Sequence, residues 1–273
     1  AKGFTCWTQF VSMLFCQLAR ADSLRDICNG LACCLGKLSH LGLPEAPKKS
    51  TLSYANAHRS AKLYEDLFWA SLNHFRDKGA LGAKKHKFRF KNKLLSLDST
   101  TVSLCLSLFL GDISRAKGGV KAHVLLDHAD YMPAFVYISN ANLHDSRVLS
   151  MLSLNPGSIV AMDRAYNDYQ LFSAWSKAGV FFVTRMKDNA LYEVVEKRDI
   201  PQNSNIVSDE IIVLSGKKAR ETCPEPLRRI SVWDVENERH IVLITNHLDF
   251  GATTIAAIRS EEHTSELQSR SDL

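Results

Sequence analysis

Two aspartates stand at matching places in the chain. Asp98 follows the apolar run LLSL, and Asp163 follows SIVAM. A carboxylate at or near the exit of a buried strand costs free energy unless it meets a partner or a cation. On neighbouring strands the two would project toward one point, and paired carboxylates are the hard oxygen ligands that Mg²⁺ and Mn²⁺ prefer. Two such ions about 4 Å apart can activate a water or hydroxyl and stabilise the leaving oxygen in phosphodiester chemistry. Taken singly, each aspartate reads equally as a turn or cap residue. Asp98 is followed by Ser99, Thr100 and Thr101, which suits a turn. Residue types alone leave both readings open.

The elements that must position these carboxylates emerge from periodicity. Residues 1–83 carry apolar residues at three- and four-residue spacing and read as a helical domain, with Asp22 or Ser23 as N-cap of the second helix. A Pro-broken turn then leads to a short polar helix bearing Lys48, Lys49, His58 and Arg59. This is either a helix-turn-helix or a small bundle with a solvated basic face. KKHKFRFKNK, residues 84–93, reads as a linker entering a strand; its charges suit phosphates or a solvated edge equally. From Leu94 the period becomes that of strands, interrupted by the helical patterns HDSRVLSMLSL and NDYQLFSAWSKAG, the second stopped by Gly179. This predicts an α/β fold with a mixed sheet and flanking helices over residues 84–258. Residues 191–250 read as a β-rich insertion.

Composition bounds the partners. The chain has 273 residues, is 45% hydrophobic and 23% charged, and reads as globular. No run approaches the roughly 18–20 apolar residues of a membrane span. The chain begins at Ala1 rather than Met and is read as a fragment at that end. Its seven cysteines form no C-x-x-C and read as reduced thiols of a cytoplasmic protein, not a zinc site. Net charge is +5. The segment from Arg259 onward sets two arginines against four carboxylates, contributing −2 and leaving +7 on residues 1–258. That excess is compatible with a nucleic-acid partner.

LLSLDSTTVSLCLSLF, the stretch of residues 117–128, LHDSRV and IVAMDRAYNDYQLFSAW together resemble bacterial insertion-sequence transposases of the DDE type, most closely the insertion-sequence-4 group. The likeness runs from about Gly3 to Ile258. It implies a ribonuclease-H-like fold with a β-rich insertion after the fifth strand, preceded by a helical domain expected to bind DNA. It implies Asp98 and Asp163 as catalytic metal ligands for two Mg²⁺ or Mn²⁺ ions. Tyr166 and Tyr169 then match aromatics expected to shape a DNA-facing wall. Lys117, Lys121, Arg164, Arg185 and Lys187 are candidate phosphate contacts, with surface solvation the equal alternative. Lys48, Lys49 and Arg59 are candidates in the helical domain. His144 and Asp145 match a recurrent pair, Asp145 being read as a helix cap; His123 and His128 are read as structural and Trp233 as packing. The implied activity is cleavage and strand transfer of mobile-element ends into target DNA, by a protein associated with the bacterial nucleoid and dimeric on DNA. Alternatives are a non-catalytic DNA-binding remnant and a nuclease that only hydrolyses.

The family's third carboxylate is a glutamate on a late helix, in a pattern of tyrosine, two residues, arginine, three residues, glutamate, six residues, lysine. Set from position 259, only Glu266 coincides; Arg259, Glu262 and Leu273 do not. RSEEHTSELQS can be written in eleven codons as a common sequencing-library adapter. Residues 259–273 are therefore read as a non-native tail with the genuine helix missing, the third catalytic glutamate as absent, and the chain as inactive in this form.

Overall fold

The computed structural model describes residues 3–79, 88–103, 119–140 and 144–260. It forms two compact units, Ala1–Ala80 and Leu81–Leu273. No helix among the described residues is long and apolar enough to cross a membrane.

The first unit is helical: α1 Cys6–Leu18, α2 Leu24–Cys33, α3 Lys49–His58 and α4 Lys62–Asp77. Thr5 caps α1 by accepting from Thr8 N, and Ser23 caps α2 by accepting from Asp26 N. Ile27, Leu31 and Leu52, all at most 1% exposed, centre its small core. Residues 34–48 separate α2 from α3. That is far longer than the three- or four-residue turn of a helix-turn-helix, so the unit is a bundle. Lys48 and Lys49 are exposed. Arg59 is not: its guanidinium donates to Gln9 Oε1 at 3.2 Å and Phe4 O at 2.5 Å, and lies over the Phe4 ring. Expected to meet DNA, it instead fastens the end of α3 to α1.

The second unit is α/β. Its strands are β1 Leu94–Ser103, β2 Gly119–Asp127, β3 Met132–Asn140, β4 Ile159–Met162, β5 Phe181–Arg185, β6 Tyr192–Lys197, β7 Ile206–Leu214, β8 Leu227–Asp234 and β9 Arg239–Thr245. They form one mixed sheet in the order β3-β2-β1-β4-β5-β9-β8-β7-β6. β1, β2 and β3 pair antiparallel, whereas β1, β4 and β5 pair parallel. This is the strand order of a ribonuclease-H-like core. The residues after β5 return to it through β9, so the β-rich insertion extends the main sheet rather than standing apart.

Strand alternation sends residues to two faces. Leu95, Leu97, Val160 and Met162 enter the core shared with Phe172 and Trp175 of α6, Tyr169–Lys177. Leu94, Ile159 and Ala161 enter the opposite core, shared with Ala252, Ile255 and Ile258 of the helical residues 252–260. Asp168 caps α6 through Gln170 N and Leu171 N, and Gly179 at φ +70 succeeds its end. Phe88 and Phe90 do not begin a strand. They pack into the second core, Phe90 stacking on Phe250 at 4.9 Å, because two aromatics gain more from burial than an edge offers.

Candidate active site

β1 and β4 run parallel with Leu97 opposite Met162. Asp98 and Asp163 are the next residues after this last pair. Alternation turns both toward the face covered by residues 252–260. Asp98 is not at the exit of β1, which continues through Ser99, Thr100 and Thr101 paired with β2. It marks the point where β4 stops pairing with β1. The turn reading of these residues is thereby corrected: their β-branched and hydroxyl side chains continue the strand. Asp163 starts a tight turn, its Oδ1 accepting from Arg164 N at 2.6 Å and its carbonyl from Tyr166 N at 3.0 Å.

The turn is fastened on both sides. Asn167 Nδ2 donates to Arg185 O at 2.8 Å, Thr184 Oγ1 donates to Asn167 Oδ1 at 2.9 Å, and Lys187 Nζ donates to Asn167 O at 3.1 Å. These tie it to β5. On the other side the Tyr166 hydroxyl lies 3.0 Å from His123 Nδ1 on β2, and His123 stands opposite Ser99 of β1. His123 Nε2 lies 3.1 Å from Ser139 Oγ on β3. Tyr166 is 1% exposed and His123 is fully buried. Tyr166 therefore forms no DNA-facing wall; its ring belongs to the core beneath the carboxylates. Burial pushes its hydroxyl well above the usual tyrosine range, and Asp145, Asp98 and Asp163 add to this. Burial likewise holds the His123 ring below its ordinary value, partly offset by Asp145.

The remaining candidates take other roles. Lys121 Nζ donates to Asp145 Oδ1 at 2.9 Å, with both side chains mostly covered. Asp145 precedes α5, Ser146–Leu149, but makes no side-chain cap. The nearby lysine is a stronger partner than an amide. Arg164 is exposed and pairs with Asp188 at 3.1 Å. Arg185 is half-buried, and Lys187 is exposed and bound to the turn. Tyr169 packs against the core. His128 Nε2 lies 2.6 Å from Ser96 Oγ, and Trp233 meets His240 edge-on. Lys117 and Glu266 lie outside the described residues.

One member has no signal in the sequence. The helical residues continue past Ile258, and Arg259 Nη2 lies 3.8 Å from Asp163 Oδ1, its side chain 7% exposed. Among the described residues, no group of three His, Cys, Asp or Glu side chains could hold a metal. The hard carboxylate pair Asp98 and Asp163 could hold a divalent ion, with Arg259 a competing cation beside it.

The match that decides the family covers this whole arrangement: the transposase DDE domain model fits residues 89–260. The chain belongs to the transposase DDE-domain family. Residues 1–44 match a domain of unknown function, DUF4372. The candidate transposase y4zB of Sinorhizobium fredii is 28% identical over 218 residues, covering 79% of this chain and 59% of that protein. The chain thus spans about three-fifths of that relative's length. Solved structures with some likeness include the NurA nuclease of Sulfolobus solfataricus, at 8% identity and TM-score 0.32, covering 74% of this chain and 85% of that one. Endonuclease V of Ciona intestinalis, solved in complex with DNA, is 11% identical with TM-score 0.29, covering 73% and 88%.

Proposed function

We propose that this chain carries the catalytic domain of a DNA transposase of the insertion-sequence-4 group. It would cleave mobile-element ends and join the freed 3′ hydroxyl to target DNA. The register that pairs Leu97 with Met162, the residues just before Asp98 and Asp163, supports this reading. These two carboxylates would hold the divalent ions, Mg²⁺ or Mn²⁺. Ions bound there would supply Lewis-acid stabilisation of charge at the attacked phosphodiester. The protein's own part is to aim the carboxylates, through the turn tied down at Tyr166 and Asn167. Exposed Arg164 and Lys187, beside that turn, suit phosphate contacts that orient the strand. Lys48 and Lys49 would add contacts from the helical unit, and assembly on DNA would pair two copies.

A non-catalytic DNA-binding role is a second reading, favoured by the Arg259 guanidinium beside Asp163. One assay separates the readings. Purified chain is mixed with labelled DNA spanning the ends of its element, with Mg²⁺ or Mn²⁺, and both cleavage and joining are tracked. Joined products lost in Asp98→Ala and Asp163→Ala support the transposase. Cleavage without joining identifies a nuclease; binding without metal-dependent cleavage identifies the binder only if it persists when residues 259–273 are replaced by a helix that carries the family's third glutamate.

A further inference from the structure

We infer that Tyr166 is a positioning residue: its buried hydroxyl locks the turn after Asp163 to β2, the strand paired with the one that carries Asp98, and so sets the spacing of the two carboxylates. This rests on the reading of Asp98 and Asp163 as a metal-holding pair.

The two aspartates lie on different strands, and β1–β4 pairing ends at Leu97 and Met162, one step before them. Backbone hydrogen bonds of that pair therefore do not fix Asp163 against Asp98. After Asp163 the chain makes a three-residue turn, Arg164–Tyr166, whose last side chain returns beneath the site. Its hydroxyl lies 3.0 Å from His123 Nδ1, and His123 stands opposite Ser99, the residue after Asp98, in the β1–β2 register. One oxygen thus ties the turn beyond Asp163, through the His123 ring, to β2 at the position paired with the residue after Asp98. His123 is itself held from the far side by Ser139. The neutral ring has one donor and one acceptor nitrogen, so both of its contacts are used. Asn167 fastens the same turn to β5. The turn is clamped at two successive residues, and Tyr166 is the one that ties it toward Asp98.

Packing alone does not account for the hydroxyl. The ring would fill the same core as phenylalanine, while the oxygen adds a deeply buried polar group that needs its partners. Outer residues that orient metal ligands commonly change affinity by about 10–100-fold when removed.

The test measures Mn²⁺ affinity by electron paramagnetic resonance on the full chain, well below its melting temperature. Asp98→Ala and Asp163→Ala identify which binding belongs to the site. Tyr166→Phe keeps the ring, and His123→Leu removes the β2 side of the link without touching that ring. The expected result is roughly tenfold weaker Mn²⁺ binding in both variants, with circular dichroism unchanged at the assay temperature. A purely structural hydroxyl would lower the melting temperature of Tyr166→Phe but leave Mn²⁺ affinity as in the parent; that result, or normal affinity in His123→Leu where Tyr166→Phe does not fold, overturns the inference. If Mn²⁺ binding in the parent does not depend on Asp98 and Asp163, the metal-site reading itself fails, and the inference with it.

Discussion

Arg259 Nη2 lies 3.8 Å from Asp163 Oδ1, a guanidinium almost fully covered beside a carboxylate that is still 43% exposed. The pair places a fixed positive charge where a divalent ion would share Asp163. Replacing the charge should favour the ion. Arg259→Ala is expected to tighten Mn²⁺ binding by roughly threefold to tenfold, a modest gain because solvent at Asp163 screens the pair. Isothermal titration at low ionic strength reads this. Unchanged affinity would show that the guanidinium does not compete.

Arg228 and Asp209 form a two-pronged pair, Nε to Oδ1 at 2.8 Å and Nη2 to Oδ2 at 2.6 Å, with both side chains at most 3% exposed. Arg228 also donates to the carbonyls of Leu248 and Phe250, which lead into the helical residues 252–260. Arg228→Leu strands a buried carboxylate and should cost about 3–5 kcal/mol. Adding Asp209→Leu should recover part of that loss, because the stranded charge is gone. Urea unfolding of the single and double variants checks it; a double variant less stable than Arg228→Leu contradicts it.

His247 stacks on Phe250 with ring centres 3.7 Å apart and accepts from Phe250 N at 3.3 Å. Burial holds its pKa below the ordinary histidine value, against a partial pull upward from Asp249. The folded ring therefore titrates below its unfolded value of about 6.5. Its contribution is complete above that pH and is lost as pH falls through the folded value. Thermal melts should fall as pH drops from about 7 to about 5, and His247→Gln should flatten part of that slope. His123 contributes with the same sign, so the slope should shrink rather than vanish. An identical slope in the variant would show that His247 does not contribute to it.

The legible parts of the sequence are those governed by local rules. The change of period at Leu94, the stop at Gly179, the cap at Ser23 and the four strands after residue 191 all appear where the residue pattern places them. The likeness of Asp98 and Asp163 is visible because each comes after an apolar run. The direction of Tyr166 is not legible, because an aromatic beside a charged motif gives no sign of which way it turns; only pairing β2 beside β1 brings His123 to its hydroxyl. Asp145 is misleading for a similar reason. Its position suggests a cap, but β2 delivers Lys121 to it from 24 residues away. Arg228 and Asp209 lie 19 residues apart on adjacent strands, a separation no periodicity reports. Arg259 reads as part of a tail outside the fold, yet the helical residues carry it into the site.

Asp98 and Asp163 are expected to act as one cation site. Mn²⁺ affinity measured for the parent, Asp98→Ala, Asp163→Ala and the double variant decides whether they do. Carboxylates sharing an ion are coupled, so their effects should be far from additive. Each single replacement should remove most of the binding, and the double should lose little more than either one. Independent losses that multiply in the double variant, or Mn²⁺ binding that neither replacement moves, would contradict the shared site.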